Sequence, residues 1–165
     1  GMAMPIIMFP VSLIVSFSSL LVPEFSRCYA QSKYSKIKII SVIVLVCTLL
    51  FSLIVSIIIF IFSDKLSIWI YHKAEIAKYL HILSPLIVIM YLDIVIDSIL
   101  KGLDAQVDVM VVNIFDCLIS IAFIYFLVPI LGFSGYIISI FISEIINFSL
   151  SGYKLLGILK RLKNK

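Results

Sequence analysis

The segment 79–100 reads YLHILSPLIVIMYLDIVIDSIL, which is apolar enough to cross a bilayer yet carries Asp93 and Asp97 one helical turn apart. A charged side chain at the bilayer centre costs about 2.5–3.5 kcal/mol on insertion scales, so such residues usually face a protein interior or a water-filled cavity. We therefore expect both acids to face other helices. They are candidate functional residues.

Similar apolar blocks occur along the whole chain. The sequence is 63% hydrophobic, with a mean hydropathy of +1.25. Blocks of about 17–25 apolar residues are typical of transmembrane helices. The sequence therefore predicts an all-α, polytopic membrane helical bundle followed by a basic tail, 154–165. The five predicted spans are 2–22, 39–62, 79–100, 109–131 and 136–153.

The basic residues are distributed unevenly between alternate connections. The connection between the second and third spans has three basic residues, Lys65, Lys73 and Lys78, and the segment 132–135 has none. The connections on the other side and the tail carry Arg27, Lys33, Lys36, Lys38, Lys101, Lys154, Lys160, Arg161, Lys163 and Lys165. Basic loops stay in the cytoplasm. We therefore predict an N-terminal end outside and a cytoplasmic C-terminus.

The net charge of +4 is explained by this topology and by attraction to anionic lipids of the bilayer. No nucleic-acid partner is predicted. The basic segment 27–38 is predicted to be an amphipathic helix on the cytoplasmic surface, although a solvated loop fits equally well. Pro10 lies deep in the first apolar block and predicts a kink, which makes it a hinge candidate.

The sequence lacks the signatures of an enzyme or a metalloprotein. Cys28, Cys47 and Cys117 show no paired spacing, so neither a disulfide nor a metal site is predicted. No glycine-rich phosphate loop or nucleophile motif occurs. We predict no catalytic residues and no cofactor.

Polar residues near the cytoplasmic ends of the third and fourth spans suggest an ion site. Lys101 follows Asp97 by four residues, so the two are predicted to pair near the interface, which makes both structural or cavity-mouth residues. Asp93 and Asp116 are predicted to lie at similar depth, and facing carboxylates would share a proton or bind a cation. Asn113 would supply an oxygen to this Na⁺ or H⁺ site. The alternative is that each acid separately hydrogen-bonds a neighbouring helix.

The fifth predicted span contains Glu144 near its middle, with Ser143 beside it and Asn147 three residues later. A glutamate at this depth favours an interior face. It is either a protonatable coupling residue or a protonated partner in an interhelical hydrogen bond, with Asn147 as a further structural polar residue.

Several ordered strings resemble the multidrug/oligosaccharidyl-lipid/polysaccharide (MOP) flippase superfamily, and particularly its stage V sporulation protein B and polysaccharide-biosynthesis branch. The strings are Gly1–Pro5, Phe9-Pro10, Leu21–Ser26, Ser84–Leu86, Met90–Asp93, Asp97, Leu100–Leu103, Gln106, Asn113, Asp116, Tyr125–Leu127, Pro129, Gly132, Gly135, Ser143-Glu144 and Asn147. They extend over almost the entire chain.

The resemblance implies a transporter of two six-helix lobes, of which residues 1–165 are most of the second. It implies alternating-access movement of lipid-linked oligosaccharides, including peptidoglycan precursors, across the bacterial cytoplasmic membrane. It also implies a role in polysaccharide biosynthesis or sporulation. Several relatives have a cation site in this lobe, which favours Asp93, Asn113 and Asp116 as coupling residues. The implied partners are the bilayer, the lipid-linked glycan and a missing N-terminal lobe.

The chain departs from this pattern in lacking the first lobe and the seventh helix, so we expect a fragment of a longer protein. Basic residues that would hold the substrate pyrophosphate are also missing from the spans, and only Lys101 lies near the predicted cavity mouth. Two alternative functions fit the sequence. One is a multidrug or small-molecule exporter of the same superfamily, and the other is a non-transporting membrane scaffold in which the acids join helices.

Overall fold

A computed structural model describes the backbone of residues 4–71 and 75–163, and the side chains of 11–63, 65, 81–132 and 134–162. Within these residues the fold is entirely helical, which confirms the predicted bundle. The helices are α1 (Met4–Ala30), α2 (Tyr34–Tyr71), α3 (Glu75–Gly102), α4 (Gln106–Leu131) and α5 (Phe133–Lys163). Each contains a stretch long and apolar enough to cross a membrane.

The helices extend beyond the predicted apolar blocks. The 38 residues of α2 measure about 57 Å at 1.5 Å per residue, well over the roughly 30 Å of a hydrocarbon core. Hydropathy identifies the part of a helix that lies in hydrocarbon, whereas the backbone hydrogen bonds continue past it. For the same reason the predicted basic tail is mostly the last turns of α5, which ends at Lys163.

The prediction of a separate amphipathic helix at 27–38 is wrong. Arg27 belongs to the last turn of α1, and α2 begins at Tyr34, so only residues 31–33 connect the two helices. Ser32 adopts a positive φ of 53°, and the Lys33 amide donates to the Cys28 carbonyl at 3.0 Å. The solvated-loop alternative fails as well, because this turn is too short to be a loop of that kind.

The turn between α4 and α5 is shorter than the segment 132–135. Only Gly132, at a φ of 59°, separates α4 from α5, and its amide donates to the Val128 carbonyl at 2.9 Å. A left-handed residue at a helix end is a common terminator and favours glycine. Pro10 lies within α1, and its side chain is outside the described residues. The kink at Pro10 stays a prediction.

Helix α3 occupies the centre of the bundle. It packs against α2, α1 and α5 and more lightly against α4, and it is the most buried of the five spans. Helix α4 lies at the edge, packed mainly on α5. Four of the polar residues described on α3 are therefore buried: Ser84, Asp93, Asp97 and Ser98.

Hydrogen bonds between helices define their directions. Ser56 donates to the Ser84 carbonyl at 2.7 Å, and Ser63 bonds the His81 ring at 2.6 Å, so α2 and α3 run antiparallel. Tight turns reverse the chain before α2, α4 and α5. Helices α1, α3 and α5 therefore run one way, and the basic residues described at the α1–α2 turn, Lys101 and the end of α5 all lie at one end of the bundle.

Candidate functional site

Asp93 and Asp97 lie on the face of α3 that meets α5 and α4. Their exposed fractions are 7% and 8%, which confirms the expectation that both acids face protein. Burying a carboxylate is costly unless hydrogen-bond donors replace its water. The neighbouring helices supply those donors.

Helix α5 contributes an amide and a hydroxyl at matching spacing. Asn147 Nδ2 donates to Asp93 Oδ2 at 2.8 Å, and Ser151 Oγ donates to Asp97 Oδ1 at 3.3 Å. Both pairs are separated by 54 residues, so the two helices run parallel here and repeat the contact one turn later. Asn147 and Ser151 are themselves 8% and 0% exposed.

Helix α4 completes the environment of Asp97. Asn113 Nδ2 donates to Asp97 Oδ2 at 3.4 Å, so this acid accepts hydrogen bonds from two different helices. Asn113 was predicted to join Asp93 and Asp116, and in the structure it joins neither.

The predicted ion pair between Asp97 and Lys101 is also wrong. Lys101 is exposed and lies within electrostatic range of Asp97, but no ion pair joins them in the part of the chain that the structure describes. Long cationic side chains at helix ends extend toward water, and the buried acid is served by Asn113 and Ser151 instead.

Around Asp93 the oxygen acceptors outnumber the donors. Asp93 Oδ1 and Asn147 Oδ1 are buried and have no hydrogen-bond partner among the described residues. An unsatisfied buried acceptor costs about 1–3 kcal/mol. Either a proton on Asp93 or a cation beside these oxygens would relieve this deficit.

Asp116 and Glu144 lie together in a cavity of about 230 Å³ between α3, α4 and α5. The cavity is lined by Leu83, Leu86, Met90, Asp116, Ser120, Ile124, Tyr136, Ile140, Ser143 and Glu144. Asp116 Oδ1 is buried and has no hydrogen-bond partner. The cavity therefore brings two carboxyl groups and two serines to one enclosed space.

The predicted pairing of Asp93 with Asp116 is replaced by this arrangement. Asp116 and Glu144 are within electrostatic range of Asp93, but Asp93 is hydrogen-bonded to Asn147 and does not line the cavity. The sequence gives the depth of Asp116 but not the rotation of α4, and the rotation directs Asp116 toward Glu144. Asp93 and Asp97 each accept a hydrogen bond from α5.

Sequence reasoning missed Ser151. A signal for it exists, because Asn147 and Ser151 repeat the four-residue spacing of Asp93 and Asp97. No group of three or more histidine, cysteine, aspartate or glutamate side chains able to hold a metal occurs within the described residues.

Comparison with known families adds a decisive observation. The model of the family described as MatE matches residues 1–126, which include α1 to α3 and most of α4. The chain belongs to the MatE family. No curated protein and no solved structure gave a significant match.

MatE proteins are membrane transporters of the MATE/MOP type and not enzymes. The chain is therefore a multi-pass membrane protein that belongs to a transporter. The MatE match includes Asp93, Asp97, Asn113 and Asp116, whereas Glu144, Asn147 and Ser151 lie beyond it. Three of these seven residues thus lie on α5, which the family match does not cover.

Proposed function

We propose that this chain is part of the second lobe of a flippase that moves lipid-linked oligosaccharides or peptidoglycan precursors across the bacterial cytoplasmic membrane by alternating access. Membership of the MatE family supports the transporter class. The ordered motifs, from Met90–Asp93 to Gly135, support the polysaccharide and sporulation branch over a drug exporter.

Within this proposal, Asp93 and Asn147 form the site that couples transport to a Na⁺ or H⁺ gradient. Asp116 and Glu144 form a second site for the same ion in the neighbouring cavity. The observation that carries the assignment is the buried Asp93 Oδ1 with no donor, beside an amide that already donates to the other oxygen. A structural acid would have both oxygens satisfied, as Asp97 has.

The physical basis of coupling is the cost of a bare charge. With a proton or cation bound, the Asp93 site is neutral and α3, α4 and α5 pack closely around it. Without the proton or cation, a more hydrated arrangement of the helices is favoured for two reasons. An ionised carboxylate is costly to bury without water, and the acids repel each other: Asp93, Asp97, Asp116 and Glu144. Such a difference between two states is what an ion gradient needs in order to drive a transporter.

Substrate binding is assigned mainly to the other lobe. Lys101 borders an open pocket with Gln106 and Asn113, and a lysine at a cavity mouth suits the approach of a pyrophosphate. Alternating access requires one repeat to rock against another. The partner in this proposal is therefore a first lobe, covalent or separate.

The proposal is tested by replacing Asp93→Asn in the full protein and expressing it in a flippase-deficient bacterial strain. We expect normal membrane insertion and loss of complementation, because asparagine keeps the shape but cannot carry an exchangeable charge. Asp104→Asn is the matched control, since it makes the same chemical change at an exposed turn residue whose φ of 64° asparagine tolerates. Full complementation by Asp93→Asn would refute the coupling role.

The same variants separate the alternatives. Reconstituted transport of an organic cation in place of a lipid pyrophosphate would identify an exporter. If every acid-to-amide variant lost stability without a separable transport defect, the acids would serve only to join helices.

A further inference from the structure

A cleft of about 440 Å³ lies at the basic end of the bundle, between the α1–α2 turn and the last turns of α5. Its polar wall contains the side chains of Lys33, Lys36 and Lys38 together with Ser35. Its apolar wall contains Leu159 and Leu162 from α5. The coupling site at Asp93 contributes no residue to it.

The lysines of this cleft have no anionic partner among the residues that the structure describes. None of the three lysines forms an ion pair with a described carboxylate, and Lys33 Nζ instead donates to the neutral amide oxygen of Gln31 at 2.6 Å. Three like charges beside one cleft repel each other. An anion in the cleft would remove that repulsion.

The beginning of α2 adds donors of the same kind. Its first turn contains no acidic residue, and the amides of Tyr34 and Ser35 have no backbone acceptor among the described hydrogen bonds. The start of a long helix carries a partial positive charge and free N–H groups. Acidic residues near a helix start stabilise it by offsetting this positive charge, whereas lysines at the same position add to it.

The two walls together match a molecule with an anionic head and an apolar body. A free phosphate would use the lysines and amides but would gain nothing from Leu159 and Leu162. Basic pockets beside membrane helices bind anionic lipid headgroups. We propose that this cleft binds the phosphate headgroup of an anionic phospholipid such as phosphatidylglycerol, with the glycerol and first acyl carbons against α5.

The site joins two parts of the chain that are distant in sequence. The headgroup contacts the α1–α2 turn and the lipid body contacts α5, so a bound lipid would hold the end of α5 against the rest of the bundle. Loss of the lipid is expected to loosen the last turns of α5 and to leave the Asn147 contact with Asp93 in place.

Binding is tested by native mass spectrometry of the purified protein titrated with phosphatidylglycerol, phosphatidylcholine or inorganic phosphate. We expect one saturable phosphatidylglycerol site. The variant Lys36→Gln/Lys38→Gln should weaken it by about 5-fold per lysine, or roughly 25-fold for the pair. Phosphatidylcholine should bind weakly, and inorganic phosphate should not compete.

The matched control is Arg27→Gln/Lys160→Gln, which removes two charges from the same end of the bundle without altering the cleft. It should retain phosphatidylglycerol binding, as should the charge-preserving variant Lys36→Arg/Lys38→Arg. If phosphatidylglycerol binding were weakened equally in the cleft variant and in the control, general surface charge would explain the effect and the proposal would be overturned. Competition by inorganic phosphate, or equal affinity for phosphatidylcholine, would overturn it too.

Discussion

Asp93 and Asp97 are alike in burial but differ in how their oxygens are satisfied. Asp97 accepts from Ser151 and from Asn113, whereas Asp93 accepts from Asn147 at one oxygen and leaves the other without a partner. Ser151 lies near Asp93 as well, but its single hydroxyl proton is donated to Asp97. This difference supports our proposal that Asp97 is structural and that Asp93 is the coupling residue.

At the residue scale, we expect Asn147→Leu to reduce the free energy of unfolding by about 1–3 kcal/mol, because it leaves the buried Asp93 without its amide donor. The double variant Asp93→Leu/Asn147→Leu should recover much of this loss, since two apolar partners need no donor. Denaturant unfolding in mixed micelles measures both. Additive effects of the two single changes would show that the residues do not interact.

At the element scale, the packing of α1 on α3 depends on Gly102. A Cβ placed there would lie 2.5 Å from Phe25 Cβ and 2.9 Å from the Val22 carbonyl oxygen. We expect Gly102→Ala to cost about 1–3 kcal/mol of unfolding free energy through overpacking. Gly157→Ala is the control, because nothing lies within 4 Å of its Cβ position and alanine favours a helix. If both variants had equal stability, the close approach of the two helices would be wrong.

The extent to which these elements could be predicted follows from what hydropathy measures. Five spans were predicted because each apolar block is about as long as a bilayer core is thick. The burial of Asp93 followed from the cost of exposing it to lipid. The turn at 31–33 was missed because charged residues extend the ends of α1 and α2 without raising hydropathy. The pairing of Asp116 with Glu144 depends on helix rotation, which depth along the chain does not determine.

At the scale of the whole molecule, the clustering of basic residues at one end predicts the orientation in the membrane. In a cysteine-free background, Ser134→Cys should react with a membrane-impermeant maleimide added to intact cells, because it follows the outer α4–α5 turn. Asp104→Cys, in the turn between α3 and α4, should react only after the cells are opened. The reverse pattern would place the basic end outside and contradict the positive-inside assignment.

The two ends of the bundle differ in chemistry. The lysine-lined cleft and Lys101 lie at one end, and the Gly132 turn lies at the other. Asp93 lies between the two ends, in the part of α3 that is apolar enough to cross a membrane. This location suits an ion that must reach the site from either side in turn.

The most direct test is lipid-pyrophosphate flipping by the full protein in proteoliposomes under an imposed Na⁺ or pH gradient. We predict that one of the two gradients accelerates flipping in the wild-type protein and in Asp104→Asn, and that Asp93→Asn abolishes this acceleration while inserting normally. Gradient-driven flipping that persists unchanged in Asp93→Asn would contradict the assignment of Asp93 as the coupling residue.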